Sequence, residues 1–212
     1  PKQIVIHQRH TDACKDDAHG KQGSHNLRGM SSHRNTRLPQ KMLERRMANS
    51  FHLRCSTIFL AGAPEVWALK IDPESMQDEF RPFFSGDISA AKEAIAQLKA
   101  GNLPVCYNIQ MKGAGLLPLG NWPVEIVEFE EEKRFVDCST NAFFSEWRHE
   151  HLLEACSDGT RYVDRVDFVP TRQPRLTAIA VRELFLHRHR RASRHLPSIA
   201  RATGIATLRE LG

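Results

Sequence analysis

No two of the five cysteines (Cys14, Cys55, Cys106, Cys138, Cys156) form a C-x-x-C pair, and one is left over from any pairing. The usual zinc-ribbon and redox-active spacings are thereby excluded, and reduced thiols in a cytoplasmic setting are expected. No apolar run approaches the ~20 residues that span a bilayer. The first residues carry no apolar core of a secretory signal. A nucleophile elbow, a phosphate-binding glycine loop and a dinucleotide fingerprint are also missing, so nothing supports those enzyme classes. What is present is an ordinary globular composition, 41% hydrophobic and 26% charged over 212 residues. That is enough for one good core.

The formal charge of +5 is unevenly placed: residues 1–46 hold 10 Lys+Arg against 4 Asp+Glu, and residues 47–212 hold 20 against 21. The basic character therefore belongs to the first segment. That segment also carries His7, His10, His19, His25 and His33, and little apolar matter beyond Ile4-Val5-Ile6. Its spacing His7-x2-His10-x3-Cys14-x4-His19 matches no zinc-finger pattern. It reads as a solvated, disordered basic arm. Met47 directly precedes the first strand-like segment, so the expected organisation is an arm over 1–46, a folded domain over 47–197 and a short tail over 198–212.

From Phe51 the pattern becomes regular. Phe51–Leu60 alternates as a strand. Pro64–Ile71 reads as a short helix with Pro in its first turn, and Asp72-Pro73-Glu74 caps and opens a second. Asp87–Ala100 reads as an amphipathic surface helix stopped by Gly101. Strands follow over Val105–Met111, Asn121–Glu130 and Lys133–Thr140, and then a hairpin. The segment Leu176–Leu196 is a long helix whose expected apolar stripe is Leu176, Ile179, Ala180, Leu184 and Phe185. Antiparallel strands with a helix on one face make an α+β layered domain.

The hairpin over residues 142–170 is the most informative stretch. Its first strand puts Trp147, His149, His151 and Leu153 on one face, and its second puts Tyr162, Asp164, Val166 and Phe168 on one face. With Asp158-Gly159 as the loop, Asp164 lies opposite Leu153; with Ser157-Asp158 as the loop, it lies opposite His151. Either register gives a mostly apolar face holding two His and one Asp that need partners.

Ala63-Pro64-Glu65-Val66-Trp67, Asp72-Pro73-Glu74, Trp122–Ile126, Arg134-Phe135-Val136-Asp137, Trp147-x-His149-x-His151 and Gly159-Thr160-x-Tyr162-x-Asp164-x-Val166-x-Phe168 occur in order. Together they resemble the SRPBCC (START-like) superfamily, in particular its bacterial polyketide cyclase/dehydrase-like ligand-binding proteins. The resemblance implies a helix-grip fold, with a curved antiparallel sheet of six or seven strands wrapped around the long C-terminal helix. It also implies an internal cavity for a small apolar ligand. Three features depart from the family pattern: the extra helix over 87–101, Asn141-Ala142-Phe143-Phe144 in place of a Gly-Pro-Tyr-like turn, and the N-terminal arm.

On this reading Trp67, Tyr107, Ile109, Trp147, Leu153, Tyr162, Val166, Phe168, Leu184 and Phe185 are expected to line the ligand space. His149, His151 and Asp164 are the candidate catalytic group. They could work as acid and base near neutral pH. They could ligate a metal, with Asp164 as third ligand or orienting partner. Or they could simply satisfy one another and close one end of the cavity. No metal or cofactor is assigned from the sequence, and neither is an oligomeric state. The preferred function is binding of a lipid-like or aromatic molecule, the alternative a cyclase/aromatase-type enzyme. A third reading is nucleic-acid or acidic-surface binding through the arm and Arg188, Arg190, Arg191 and Arg194.

Overall fold

Strict alternation of buried and half-buried residues marks the first strand, β1 (Ser50–Phe59), which turns Phe51, Leu53, Cys55, Thr57 and Phe59 inward. The computed structural model describes residues 49–114, 117–198 and 205–211; the arm expected at 1–46 and the start at Met47 lie outside them. After β1 come helices α1 (Ala63–Ile71) and α2 (Pro73–Phe80), strand β2 (Phe84–Gly86) and helix α3 (Ser89–Lys99). Strands β3 (Val105–Gly113), β4 (Leu117–Glu130), β5 (Arg134–Ser139), β6 (Phe144–Cys156) and β7 (Gly159–Pro170) follow. The chain then forms helix α4 (Pro174–Ala192) and strand β8 (Ile205–Leu211).

Local chemistry accounts for several of these boundaries. Glu65 accepts from the Gly62 backbone N–H at 2.9 Å and opens α1, with Pro64 in its first turn. Asp72 accepts from the Ser75 N–H at 2.9 Å and caps α2. Gly159 opens β7 at a φ of +138°, and a Cβ there would stand 2.2 Å from the Phe59 carbonyl oxygen. Only glycine allows the hairpin tip to close on the end of β1.

The strands form one sheet in the order β2-β3-β4-β5-β6-β7-β1-β8 with antiparallel neighbours throughout. Among the described residues there are eight strands, where six or seven were expected. The two extra ones are β2, too short to show a period, and β8, which lies within the segment expected as a tail and pairs with β1. Irregularities at Met111/Lys112, Ile126/Glu128 and Phe144/Glu146 bend the sheet.

Helix α4 lies against β1, β7 and β8. Its Ala178, Val181, Phe185 and Leu186 join Phe51, Leu53, Cys55, Phe144, Trp147, Val166 and Phe168 in one core cluster. A second cluster gathers Phe59, Val66, Trp67, Ile71, Phe135, Leu153, Tyr162 and Ala192, and a third packs α3 on β3 and β4 through Ala94, Leu98, Val105, Val124 and Ile126. The apolar stripe expected on α4 is corrected by this packing. Leu176 and Ile179 are 62% and 54% exposed, whereas Arg188 and His189 in the last turns are buried. The buried face is rotated because those two polar side chains find partners in the interior. Helix α3, expected as a surface helix, forms a wall of the interior space described next.

The expectation of reduced cysteines holds for Cys55, Cys138 and Cys156, which are free, but Cys106 is disulfide-bonded. Among the described residues no helix is long and apolar enough to cross a membrane.

Candidate functional site

Between the bent sheet and its helices lies a cavity of about 760 Å³. Strands β3 and β4 contribute Ile109, Trp122 and Ile126; α2 and α3 contribute Met76, Phe80, Ile95 and Leu98; α4 contributes Leu184 and Phe185. The lining is mainly apolar, with polar side chains such as Gln77, Asn121 and Glu183 at other points of the wall. The buried polar group is at the floor, where β5 and β6 present Asp137, His149 and His151, with Tyr107 also on the wall.

The hairpin explains why these groups meet. Cys156 pairs with Gly159, so Ser157-Asp158 is the loop and His151 lies opposite Asp164. Across the other edge of β6, Asp137 pairs with His149. Neighbouring inward side chains on paired strands are within reach of one another. Asp137 Oδ2 is 3.2 Å from His151 Nε2 and 3.4 Å from His149 Nδ1. His149 Nε2 donates to Asp164 Oδ1 at 3.0 Å. His151 Nδ1 is 2.6 Å from the Tyr162 hydroxyl, which itself donates to Asp164 Oδ1. The His151 ring is stacked on Phe135, centroids 3.7 Å apart, and lies 3.8 Å from the His149 ring.

Behind this layer Asp164, fully buried, accepts from His189 Nε2 at 3.0 Å. The other nitrogen of His189 is bonded to Thr57 Oγ1 at 2.9 Å. Arg188 Nη1 stands 3.8 Å from Asp164 and its Nη2 donates to Glu79 at 3.3 Å. Glu79 also accepts from Lys70 at 2.6 Å, and that ammonium sits 4.3 Å from the centre of the Tyr162 ring. Buried charges persist only when paired in this way.

Protonation tendencies follow from the same contacts. Burial opposes the charge on Asp164, but Arg188, His149 and His189 outweigh it and hold the carboxyl well below the usual range. Asp137 is likewise held low, against burial, by His149 and His151. Burial would lower His149, yet the carboxylates of Asp137 and Asp164 raise it above its ordinary value. For His151 burial prevails, helped by the adjacent His149, and pushes it down to about 3. His189 is also lowered by burial, which outweighs Asp164. The protonation tendencies of two adjacent imidazoles are thus driven apart by their surroundings.

Of the side chains expected to line the ligand space, Tyr107, Ile109, Trp147, Leu184 and Phe185 border the cavity. Trp67, Leu153, Tyr162, Val166 and Phe168 do not; they are packed inside the core clusters, because α1 and α4 cover that part of the sheet. His149 and His151 are on the cavity wall, and Asp164 sits behind them rather than on it. Sequence reasoning missed Asp137, His189, Glu79 and Lys70. Asp137 was open to discovery, since it shares its inward face with Phe135 on a recognisable strand. His189 was not, because a histidine in an Arg-rich helix end reads as solvated. Of the arginines weighed for nucleic-acid contact, Arg188 is buried and Arg191 is bonded to Asp78 at 2.6 Å; Arg190 and Arg194 are exposed.

Solved structures share the architecture. Protein CV1439 from Chromobacterium violaceum superposes with a TM-score of 0.51 at 10% identity, over 68% of this chain and 96% of that one. The di-domain ARO/CYC StfQ from the steffimycin biosynthetic pathway superposes with a TM-score of 0.52 at 5% identity, over 72% of this chain. The match spans 52% of StfQ, about half of that longer chain. At such identities the likeness shows the fold, a helix-grip arrangement of sheet and C-terminal helix. No curated protein sequence matches significantly. The strand-to-helix span that builds the cavity and its polar floor, residues 56–196, matches the family described as a domain of unknown function, DUF8410, and the chain belongs to that family.

Proposed function

We propose that the protein binds a small, mainly apolar molecule, lipid-like or aromatic, in the cavity between sheet and helices. The observation that carries this reading is the cavity itself. Its volume of about 760 Å³ falls in the range of roughly 300–1,000 Å³ that small-molecule sites occupy. Mainly apolar walls with a few placed polar groups are the composition such sites use, the walls supplying affinity and the polar groups orientation. Asp137, His149, His151 and Tyr107 would orient a polar group on the ligand. Mass spectrometry of the intact protein under non-denaturing conditions tests this directly. A co-purifying mass in the range of a lipid or polycyclic aromatic supports the proposal. Absence of any such mass, together with failure of an apolar fluorescent probe to bind and to be displaced by fatty acids or polyaromatics, overturns it.

A second reading is favoured by the placement of two imidazoles side by side on the cavity wall, ring centroids 3.8 Å apart. Imidazoles whose protonation is pushed in opposite directions supply an acid and a base side by side. On that reading a bound polyketide-like molecule would exchange protons with His149 and His151, as in a cyclase/aromatase. His149→Ala would then lower turnover by about 10²–10⁴-fold while binding survives. Unchanged turnover of model polyketones in that variant would rule it out.

A further inference from the structure

Donor counting at the cavity floor leaves three lone pairs facing one another. A carboxylate only accepts, so the 3.0 Å contact between His149 Nε2 and Asp164 Oδ1 commits the His149 proton to Nε2. Tyr162 has one hydroxyl hydrogen and gives it to Asp164. His151 Nδ1, 2.6 Å from that hydroxyl oxygen, must therefore donate to it. With both protons directed inward, the neutral rings turn bare lone pairs toward the cavity at His149 Nδ1 and His151 Nε2. Each of these nitrogens faces the same acceptor, Asp137 Oδ2, at 3.4 and 3.2 Å. In that neutral state three convergent acceptors with no donor between them repel strongly in a buried setting, and either a second proton on His149 or a cation among them relieves the repulsion. Within the surrounding network two permanent cations, Lys70 and Arg188, face three carboxylates, Glu79, Asp137 and Asp164, so the remaining negative charge is balanced either by a second proton on His149 or by a bound cation.

We infer that Asp137, His149 and His151 form a binding site for one divalent transition-metal ion of the zinc type, opening on the cavity. The donor atoms of the three residues lie within 4.8 Å of one another. An ion about 2.0–2.2 Å from each donor spaces neighbouring donors by about 3–3.5 Å, which the 3.2 and 3.4 Å separations match. Metal-ligating imidazoles characteristically donate their other N–H to a fixed partner, and here both do, His149 to Asp164 and His151 to Tyr162. All three residues line the cavity, so the remaining coordination positions face it, as in zinc sites that take a water or a substrate atom. Asp137 is the third ligand, and Asp164 orients.

The inference does not depend on the apolar-ligand reading, and the two can fail separately. The test is titration of the chelator-stripped full chain with Zn²⁺, alongside Asp137→Asn, His149→Ala and Tyr162→Phe. The arm's histidines and Cys14 remain in every variant, so only the difference between variants counts. One equivalent of tight binding is expected, weakened about 100-fold or more by Asp137→Asn or His149→Ala, and about 10-fold by Tyr162→Phe. Co²⁺ supplies a local readout that survives if His149→Ala fails to fold. Trp147 lies with its ring 6.1 Å from that of His149, so paramagnetic Co²⁺ should quench its emission, and Trp147→Phe should abolish that component. Apolar-probe binding that persists in Asp137→Asn reports an intact cavity. Identical Zn²⁺ titrations of wild type and folded Asp137→Asn, or no Trp147 quenching by Co²⁺, would overturn the inference and leave a shared proton as what joins the three groups.

Discussion

Strands β6 and β7 are hydrogen-bonded neighbours that turn similar side chains to the same face of the sheet, yet they serve different ends. On β6, Trp147, His149 and His151 border the cavity; on β7, Tyr162, Asp164, Val166 and Phe168 are sealed in the core. The difference comes from α4, which lies over β7, β1 and β8 and leaves the inner face of β3 to β6 to α2 and to α3, which packs on part of β3 and β4 and leaves the cavity beside it. Identical strand periodicity therefore supplies the wall of a site in one strand and its foundation in the next. Position under the helix decides which.

The comparison breaks most visibly at Asp164. Asp164→Ala should cost about 3–5 kcal/mol in unfolding free energy, because it strands the buried Arg188, His149 and His189 together. Urea titration measures it, and a loss under about 1 kcal/mol would show that β7 is not the foundation described. Tyr162→Phe removes one hydroxyl between His151 and Asp164 and should cost about 1–3 kcal/mol. A double-mutant cycle of the two should be strongly non-additive, since both changes empty the same network.

The histidines sharpen the contrast through pH, measured in chelator so that metal plays no part. His151 and His189 have lowered pKa values in the folded protein, so their contribution is intact above the unfolded value of 6.5 and lost as pH falls below it. His149 is raised, so its contribution is intact below 6.5 and lost as pH climbs through the folded value. Stability should therefore peak near pH 6.5, with a slope of up to about 1.4 kcal/mol per pH unit for each group. Asp137 and Asp164 add to the acid loss below 3.8. A peak above pH 8 in urea melts across pH 4–9 would contradict these assignments.

The smallest effect on stability is expected at the open side. Ile109→Trp projects extra volume into the cavity and should change stability by less than about 1 kcal/mol, since the added atoms fill space rather than displace packing. Apolar-probe binding should nevertheless drop sharply. A large stability loss there would mean that the wall is as tightly packed as the region beneath α4.

How far the sequence could be read follows the same division. The hairpin was legible, because period-two alternation and a Gly159 turn left only two registers, and both put His and Asp on one face. Its apolar members Leu153, Tyr162, Val166 and Phe168, like Trp67 on α1, could not be told from pocket residues, since burial by a helix and exposure to a cavity select the same side chains. The rotation of α4 was illegible for a different reason. Hydrophobic periodicity assigns Arg188 and His189 to solvent, and only knowledge of Glu79 and Asp164 inside would bury them. Strand β2 offered three residues, too few for any period to register.

The placement of β1 has a consequence for biogenesis. It is made first among the eight strands, but its two sheet partners, β7 and β8, are the last to be made. Phe51, Leu53 and Phe59 must therefore wait for their sheet partners until β7, about a hundred residues later, has been synthesised. Pairing over so long a separation is slow, and a waiting apolar strand is prone to associate with other chains. Premature association of the chain through this one strand is therefore the expected failure of folding.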